Sequence, residues 1–315
     1  MDKRVTGPAV ERRIDMSELI QTARDGDIVT ITLNNPDKRN ALNMQAWSRL
    51  ADALASIGMD ETVRCIVICG AGDKAFAAGA DISEFPKVRA NAEQAAEYGE
   101  VTALALDTLV NCPHPTIALI QGACTGGGLE IAAACDIRIA NQSSKFGVPI
   151  NRIGHPFAYP ELEPVIKVVG RANVLDLLLS GRIIGADEAL RMGLVTQVVA
   201  DEVVVETAYD LAGRMVAAAP LSMRYTKKFV NRLTNNPAPL TAEELAESYT
   251  PCDSEDYAEG VRAFLAKEKP VTAESEENNQ ETEGEEKVTN HGSLDEPDNG
   301  RKEEDQQITP DGEPS

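Results

Sequence analysis

The sequence predicts an α/β fold, because segments with strand composition alternate with segments of helical periodicity along most of its 315 residues. Two short stretches rich in glycine and alanine, at 74–82 and 124–130, support this prediction. Each of them follows a predicted strand and precedes a predicted helix. The chain therefore contains two turns in which small residues leave the backbone accessible at the start of a helix.

The individual elements follow from local composition. Strands are predicted where β-branched and other apolar residues run together, at 28–33, 65–69, 117–120 and 137–140. Helices are predicted where apolar residues recur at helical spacing, at 43–57, 93–109 and 128–134. From residue 171 onward the chain is predicted to be mainly helical. Residues 1–25 are polar and are predicted to be a loose N-terminal extension.

Charge divides the chain unevenly. Residues 271–315 hold 15 Asp and Glu against 3 Lys and Arg, so this segment carries −12 of the total net charge of −21. Because it has almost nothing apolar to bury, we predict a disordered acidic tail. A solubilising extension is favoured over an interaction tail. No basic face is evident anywhere, so nucleic-acid binding is not expected.

The remaining composition argues for a cytoplasmic protein with a sizeable core. No apolar run approaches the roughly 20 residues that cross a bilayer, and no secretory signal is visible at the N-terminus. The six cysteines lack the paired spacing of a zinc site and lie mostly in apolar stretches, which predicts buried thiols and no metal.

The chemistry-bearing stretch is 124–130, in which three consecutive glycines are followed by Leu129 and Glu130. Backbone N–H groups at the start of a helix can stabilise a developing oxyanion, and Glu130 would place an acid or base one turn away. The alternative is a tightly packed turn with Glu130 as a solvated charge. The other turn, at 74–82, contains Asp81, a good N-cap for a helix running into 83–85, and could supply a second donor.

These motifs resemble the enoyl-CoA hydratase/isomerase (crotonase) superfamily. The two turns are the strongest part of the resemblance, which covers roughly residues 26–270, and the supporting motifs occur in family order at 33–36, 39–42, 115–118, 135–140, 146–149, 179–182, 193–195 and 259–264. The resemblance implies a spiral of repeated β-β-α units at 26–200 and a helical C-terminal trimerisation region at 201–270. It also implies a homotrimer or dimer of trimers, with a coenzyme A thioester as substrate and no further cofactor.

The resemblance implies roles for individual residues. The backbone N–H groups of Ala80 and Gly127 would form the oxyanion hole, and Glu130 would be the acid or base. The substrate and coenzyme A would be bound by residues of both turns, of the segment 38–41, of the altered loop and of the C-terminal region. These residues are Lys38, Arg39, Ala41, Ala78, Asp81, Ile82, Gly126, Ile150, Tyr159, Phe264 and Lys267.

One departure from the family stands out. The hydratases carry a second catalytic glutamate directly after a Phe-Gly-x-Pro unit, and this chain has Ile150 there. His155 and Tyr159 lie on the altered loop that follows and could replace the lost acid, although structural roles are favoured. Glu161 or Glu163 could turn inward, but a charge at the start of a helix, after Pro160, is the default interpretation.

The retained Glu130 favours hydration or dehydration of an enoyl-CoA thioester. Isomerisation, decarboxylation and thioester hydrolysis on the same fold remain open alternatives. A different class of function, a non-catalytic coenzyme A-binding or scaffold protein, is disfavoured by the two intact turns and by Glu130.

The tail composition generates a test. A chain that ends near Val271 is expected to fold, assemble and bind an acyl-CoA ester as the full chain does, because the acidic segment has no core to contribute. Size-exclusion chromatography and ester binding compare the two forms, and loss of the assembly on truncation would contradict this expectation.

Overall fold

The computed structural model describes residues 18–268 and residue 270, so the predicted acidic tail lies outside the described residues. Internal contacts divide the chain into two units, 1–258 and 259–315. Both sheets belong to the first unit. In the second unit, Arg262 forms ion pairs with Glu259 and Glu268.

Two sheets are present in the described residues. The larger contains β1 (Ile20–Asp25), β2 (Ile28–Leu33), β3 (Cys65–Gly70), β5 (Thr116–Ile120), β7 (Ile137–Asn141) and β10 (Gln197–Val199), hydrogen-bonded in that order. The smaller contains β4 (Ala75–Ala77), β6 (Ala123–Thr125), β8 (Lys145–Gly147) and β9 (Ile183–Gly185). Neighbouring strands are parallel except at β1–β2 and β8–β9, which are antiparallel.

Helices dominate the C-terminal third of the described chain. They are α1 (Met44–Gly58), α2 (Phe85–Val88), α3 (Ala92–Val110), α4 (Gly127–Ala134), α5 (Tyr159–Ser180), α6 (Ala186–Arg191), α7 (Val204–Val216), α8 (Pro220–Asn235), α9 (Ala242–Glu247) and α10 (Glu255–Ala266). Short 3-10 turns include Ile82–Glu84 and Pro149–Ile153.

The central strands are apolar because both faces of the larger sheet are covered. Val67 and Ile117 project to one face and pack with Ala208 of α7. Ile66 and Ile68 project to the other face, into the main core that includes residues of α1, α3 and α4. This arrangement is the expected one for a parallel sheet and explains why these strands lack polar alternation.

The predicted strands and helices before residue 141 are confirmed, each to within one residue at either end. Capping residues explain this accuracy. The side chain of Asn43 accepts a hydrogen bond from the N–H of Ala46 at 2.8 Å and so begins α1. Asp81 is the predicted N-cap of the helical turn that follows it, Ile82–Glu84, and its carboxylate accepts a hydrogen bond from the N–H of Ser83 at 3.1 Å.

The prediction that residues 1–25 are loose is wrong for Ile20–Asp25. This segment forms β1, which pairs antiparallel with β2 through a tight turn at Gly26, whose φ is +52°. Ile20 is buried in the core, and Arg24 forms an exposed ion pair with Asp60 at 2.8 Å. The mostly polar sequence is explained by the position of β1 at the edge of the sheet, where most of its side chains are exposed.

The strands of the smaller sheet were not predicted from the sequence. Its four strands are three residues long, which is too short for alternation or composition to distinguish a strand from a loop. These strands matter because β4 and β6 lead directly into the two glycine-rich turns.

Close packing between these turns generates a stability test. A methyl group at Gly128 would lie 2.3 Å from the carbonyl oxygen of Ala77 and 2.9 Å from its Cβ, with rigid backbone on both sides. Gly128→Ala is therefore expected to lower the free energy of unfolding by about 2–3 kcal/mol.

The matched control is Gly99→Ala in the middle of α3, where a methyl group would meet no atom within 4 Å. This change should raise stability by up to about 1 kcal/mol, because alanine is the better helix former. Urea titration measures both variants, and equal effects of the two substitutions would show that backbone packing at Gly128 is not restrictive.

Candidate active site

The two glycine-rich turns meet at one cavity of about 130 Å³. Gly79 adopts φ +104°, and its Cα is close enough to the other turn that a methyl group there would lie 3.3 Å from the nitrogen of Gly127. A methyl group at Gly127 would in turn lie 3.7 Å from the nitrogen of Ala80. The amides of Ala80 and Gly127, which the sequence analysis singled out as donors, are therefore close neighbours on the cavity wall.

Neither of these two N–H groups donates a hydrogen bond to another described residue. The backbone around Ala80 is held by Leu42, whose N–H donates to the oxygen of Gly79 and whose oxygen accepts from the N–H of Asp81, each at 2.8 Å. Gly127 is the first residue of α4, where an N–H has no partner within its own helix. Both donors are fixed in position and are available to a ligand.

Hydrogen bonds of the Asn40 side chain hold the turn that precedes Leu42. The buried side chain of Asn40 donates to the carbonyl oxygens of Ala75 at 2.7 Å and Ala71 at 3.1 Å, and its oxygen accepts from the N–H of Asn35. Because Asn40 ties this turn to β4, it positions the segment that holds Ala80.

Glu130 lies in the first turn of α4 with only 4% of its surface exposed, and it lines the cavity. No hydrogen bond to its carboxyl group is found from any other described residue. Burial raises the pKa of Glu130 well above its ordinary value of 4.5, the negative charge of Glu161 raises it further, and the Arg89 guanidinium opposes both effects. The alternative of a solvated first-turn charge does not hold for this side chain.

Glu161 is the second carboxylate of the cavity, and the two interpretations of it from the sequence both hold, since it lies at the start of α5 and also turns inward. It is 5% exposed, lines the same cavity as Glu130, and accepts a hydrogen bond from the N–H of Ala158 at 2.6 Å. Burial raises its pKa, while the Ala158 N–H and the Arg89 guanidinium oppose that shift. Glu161 therefore caps the start of α5 and also faces the cavity.

The sequence carried a signal for this position that was not used. Glu161, Pro164, Val165 and Val169 recur at helical spacing and are all buried. A carboxylate at one end of a buried helical stripe is expected to point inward. By contrast, Glu163 lies on the exposed side of α5 and forms an ion pair with Lys167 at 2.6 Å.

Arg89 is a site residue that sequence reasoning missed, and no motif around it would have revealed it. Its guanidinium lies 4.8 Å from the ring centroids of both Phe85 and Tyr98. This stacking holds the cation in the cavity wall. An Nη2 atom of Arg89 also contacts the Nε2 atom of His155. Burial and the charge of Arg89 lower the pKa of His155, so the neutral imidazole accepts this hydrogen bond.

The rest of the lining is largely apolar. Ile150, in the 3-10 turn after β8, contributes an apolar wall together with Val148 and Phe157. Trp47 of α1 packs against the turn at 124–130. A methyl group at Gly127 would lie 2.7 Å from the Cζ2 atom of Trp47. The Trp47 ring therefore leaves no room for a side chain at Gly127, the residue whose N–H is expected to be an oxyanion donor.

The other predicted binding residues divide into two groups. Ala78, Ile82 and Gly126 line the cavity. Those of the first unit that do not line it are Lys38, Arg39, Ala41, Asp81 and Tyr159, while Phe264 and Lys267 belong to the second unit.

Several residues of the second group have other surroundings. Lys38 forms an ion pair with Asp81 at 2.6 Å, and Arg39 is exposed with φ +52°. Tyr159 is 89% exposed, so it contributes nothing to the cavity wall. Phe264 and Lys267 belong to the second unit, in which Phe264 is 82% exposed.

Comparisons with known proteins agree with this fold. Residues 23–275 match the family model described as enoyl-CoA hydratase/isomerase. A short-chain-enoyl-CoA hydratase of Clostridium acetobutylicum is 32% identical over 247 residues, which cover 78% of this chain and 94% of that protein. A crotonyl-CoA hydratase of Syntrophomonas wolfei is 31% identical over 253 residues, covering 80% of this chain and 96% of that protein.

Solved structures extend the comparison. The crystal structure of an enoyl-CoA hydratase/carnithine racemase from Magnetospirillum magneticum is 50% identical, covers 81% of this chain and 96% of that one, and superimposes with a TM-score of 0.80. A family member from Hyphomonas neptunium is 34% identical with a TM-score of 0.78, covering 82% and 98% of the two chains. The crotonase fold expected from the sequence is confirmed.

The buried Glu130 generates a test of stability against pH. A carboxyl group whose pKa is higher in the folded protein than in the unfolded chain favours the folded state less as the pH rises from about 4.5 through the raised value. Glu130→Gln removes this cost, so the variant should exceed the wild type in stability by about 1–3 kcal/mol at pH 8 and by much less at pH 5.

Thermal unfolding across this pH range measures the difference. The exposed Glu163→Gln is the control and should shift stability by no more than about 0.5 kcal/mol at any pH. A Glu130→Gln protein that is less stable than the wild type at pH 8 would contradict the burial of a costly charge at this position.

Proposed function

Because the chain belongs to the enoyl-CoA hydratase/isomerase family, we propose that it adds water to the double bond of an enoyl-CoA thioester or removes water in the reverse direction. The observation that carries this proposal is the meeting of two free backbone amides and one buried carboxyl group in a single cavity. The curated relatives named as hydratases support the same activity.

The two amides account for activation of the substrate. When a nucleophile adds to the β-carbon of an enoyl thioester, negative charge develops on the thioester oxygen. The N–H groups of Ala80 and Gly127 would donate hydrogen bonds to that oxygen without changing their own protonation. Each donor of this kind is typically worth around 3 kcal/mol in the transition state.

Glu130 accounts for proton transfer. Addition of water requires a base that takes a proton from the water and an acid that delivers a proton to the α-carbon. Burial and the negative charge of Glu161 raise the pKa of Glu130, and a raised pKa suits a carboxyl group to proton transfer closer to neutral pH. Ile150 and Phe157 contribute apolar surface to the cavity that Glu130 lines.

The substrate enters the proposal as a coenzyme A thioester, with no cofactor besides it. Lys38 and Arg39 lie on the exposed turn beside the segment that contains Ala80, and this position fits their proposed role in binding coenzyme A. In this structure the ammonium group of Lys38 forms an ion pair with Asp81. Phe264 and Lys267 remain proposals for coenzyme A contacts.

We also propose assembly as a homotrimer or dimer of trimers. An apolar surface on α5 supports it, because Ile166, Leu175 and Leu179 are exposed there, Leu179 to 74%. A cytoplasmic location is proposed on the six cysteines, none of which forms a disulfide among the described residues. Among the described residues, no helix is both long and apolar enough to span a membrane.

Replacement of Glu130 tests the function directly. Glu130→Gln is expected to lower turnover of an enoyl-CoA thioester by roughly 100-fold or more, because glutamine cannot transfer a proton, while binding of the ester should change little. Mass spectrometry of a panel of acyl-CoA esters measures the reaction as a gain or loss of 18 mass units.

The same screen separates the alternatives. A loss of 44 mass units would indicate a decarboxylase, and an unchanged mass with a moved double bond would indicate an isomerase. Full activity of Glu130→Gln on the true substrate would show that the acid–base group lies elsewhere. Binding without conversion of any ester would favour the scaffold alternative.

A further inference from the structure

We infer that Glu161 is the second proton-transferring group of this site, acting with Glu130 from the first turn of α5 while Arg89 balances the charge of the pair. The inference rests on the proposed function and deepens it. Its basis is that Glu130, Glu161 and Arg89 are the charged side chains among the described residues that line the cavity.

The first step is the chemistry of hydration. As water adds, its oxygen bonds to the β-carbon and one of its protons passes to a carboxylate. The electron pair of the double bond moves to the α-carbon and the thioester oxygen. A carboxylic acid then protonates the α-carbon, which restores the thioester. One ionised and one protonated carboxyl group in the same cavity supply both transfers.

The second step is electrostatic. Two ionised carboxylates and one guanidinium in an apolar cavity would leave a net charge of −1, which is costly to bury. A single proton on either Glu130 or Glu161 makes the three groups neutral together. Both carboxyl groups line the same cavity, and burial and the negative charge of Glu161 raise the pKa of Glu130, which favours a pair with one proton.

The third step is the anchoring of Glu161. One of its oxygens, Oε2, accepts from the N–H of Ala158, so the carboxyl group is fixed in orientation. The hydrogen bond leaves Oε1 free for water or substrate. Other acidic side chains on the same helix have different surroundings, since Glu163 and Asp176 are exposed and form ion pairs with Lys167 and Arg182.

The fourth step is the support of Arg89. Its charge lowers the pKa of both carboxyl groups, so it interacts with each of them. The rings of Phe85 and Tyr98 flank it, and the His155 ring accepts one of its hydrogen bonds. Arg89 thus balances the charge of the two carboxyl groups.

Ile150 occupies the position at which the family carries its second carboxylate. Its side chain cannot carry a proton, and it contributes apolar surface to the same cavity that receives Glu161. The carboxyl group that the site needs therefore comes from the helix after the altered loop, rather than from the 3-10 turn before it.

The test compares two glutamates that are two residues apart on one helix. Glu161→Gln keeps an oxygen that can accept from the Ala158 N–H but cannot transfer a proton, so kcat should fall roughly 100-fold or more with little change in KM. Glu163→Gln, on the exposed side of α5, should retain the wild-type kcat. Thermal unfolding of both variants verifies that the fold is kept.

The pH profile gives a readout that a merely structural role would not move. The wild-type kcat/KM for the enoyl-CoA ester found in the screen should be bell-shaped, because one carboxyl group must be ionised and the other protonated. In Glu161→Gln, one limb of the bell should be lost. A wild-type profile with a single limb would overturn the inference even if the variant failed to fold.

The outcomes separate this inference from the proposed function. A Glu161→Gln protein with wild-type kcat, beside an inactive Glu130→Gln protein, would overturn the role of Glu161 and leave the hydratase proposal intact. A wild-type protein that converts no enoyl-CoA ester would overturn both.

Discussion

The site depends on the close approach of two backbone turns, which is possible only because side chains are absent or minimal there. Gly79 takes a left-handed conformation, and Gly128 contacts the backbone of Ala77 with no room for a methyl group. This contact joins the smaller sheet to the start of α4. The positions of the Ala80 and Gly127 amides follow from it, because any wider spacing would separate the two donors.

A second constraint is the presence of charged groups in an apolar cavity. Two carboxyl groups that are each about 95% buried are destabilising unless their charge is balanced or protonated. Arg89 supplies the balance and is itself held by two aromatic rings and a neutral histidine. The buried carboxyl groups of the cavity therefore lower the stability of the fold, and the apolar core on both faces of the larger sheet offsets this cost.

Local signals in the sequence were sufficient for the main elements and for one half of the site. Caps such as Asn43 and the glycine turns act within a few residues, so 44–58 and the turn before Glu130 could be predicted from short stretches. The edge strand β1 could not, because its stability comes from pairing with β2. Arg89 and Glu161 are brought together from distant segments. The helical stripe of apolar residues that follows Glu161 indicates that it faces inward, whereas no local motif indicates that Arg89 joins it.

The position of Trp47 has a spectroscopic consequence. It is the only tryptophan in the sequence, it is almost fully buried, and its ring forms the cavity wall beneath Gly127. The intrinsic fluorescence of the protein at long excitation wavelengths therefore originates from one indole beside the candidate site. A thioester that enters the cavity changes the polarity around that single emitter, so occupancy can be followed optically without attaching a label or altering a residue.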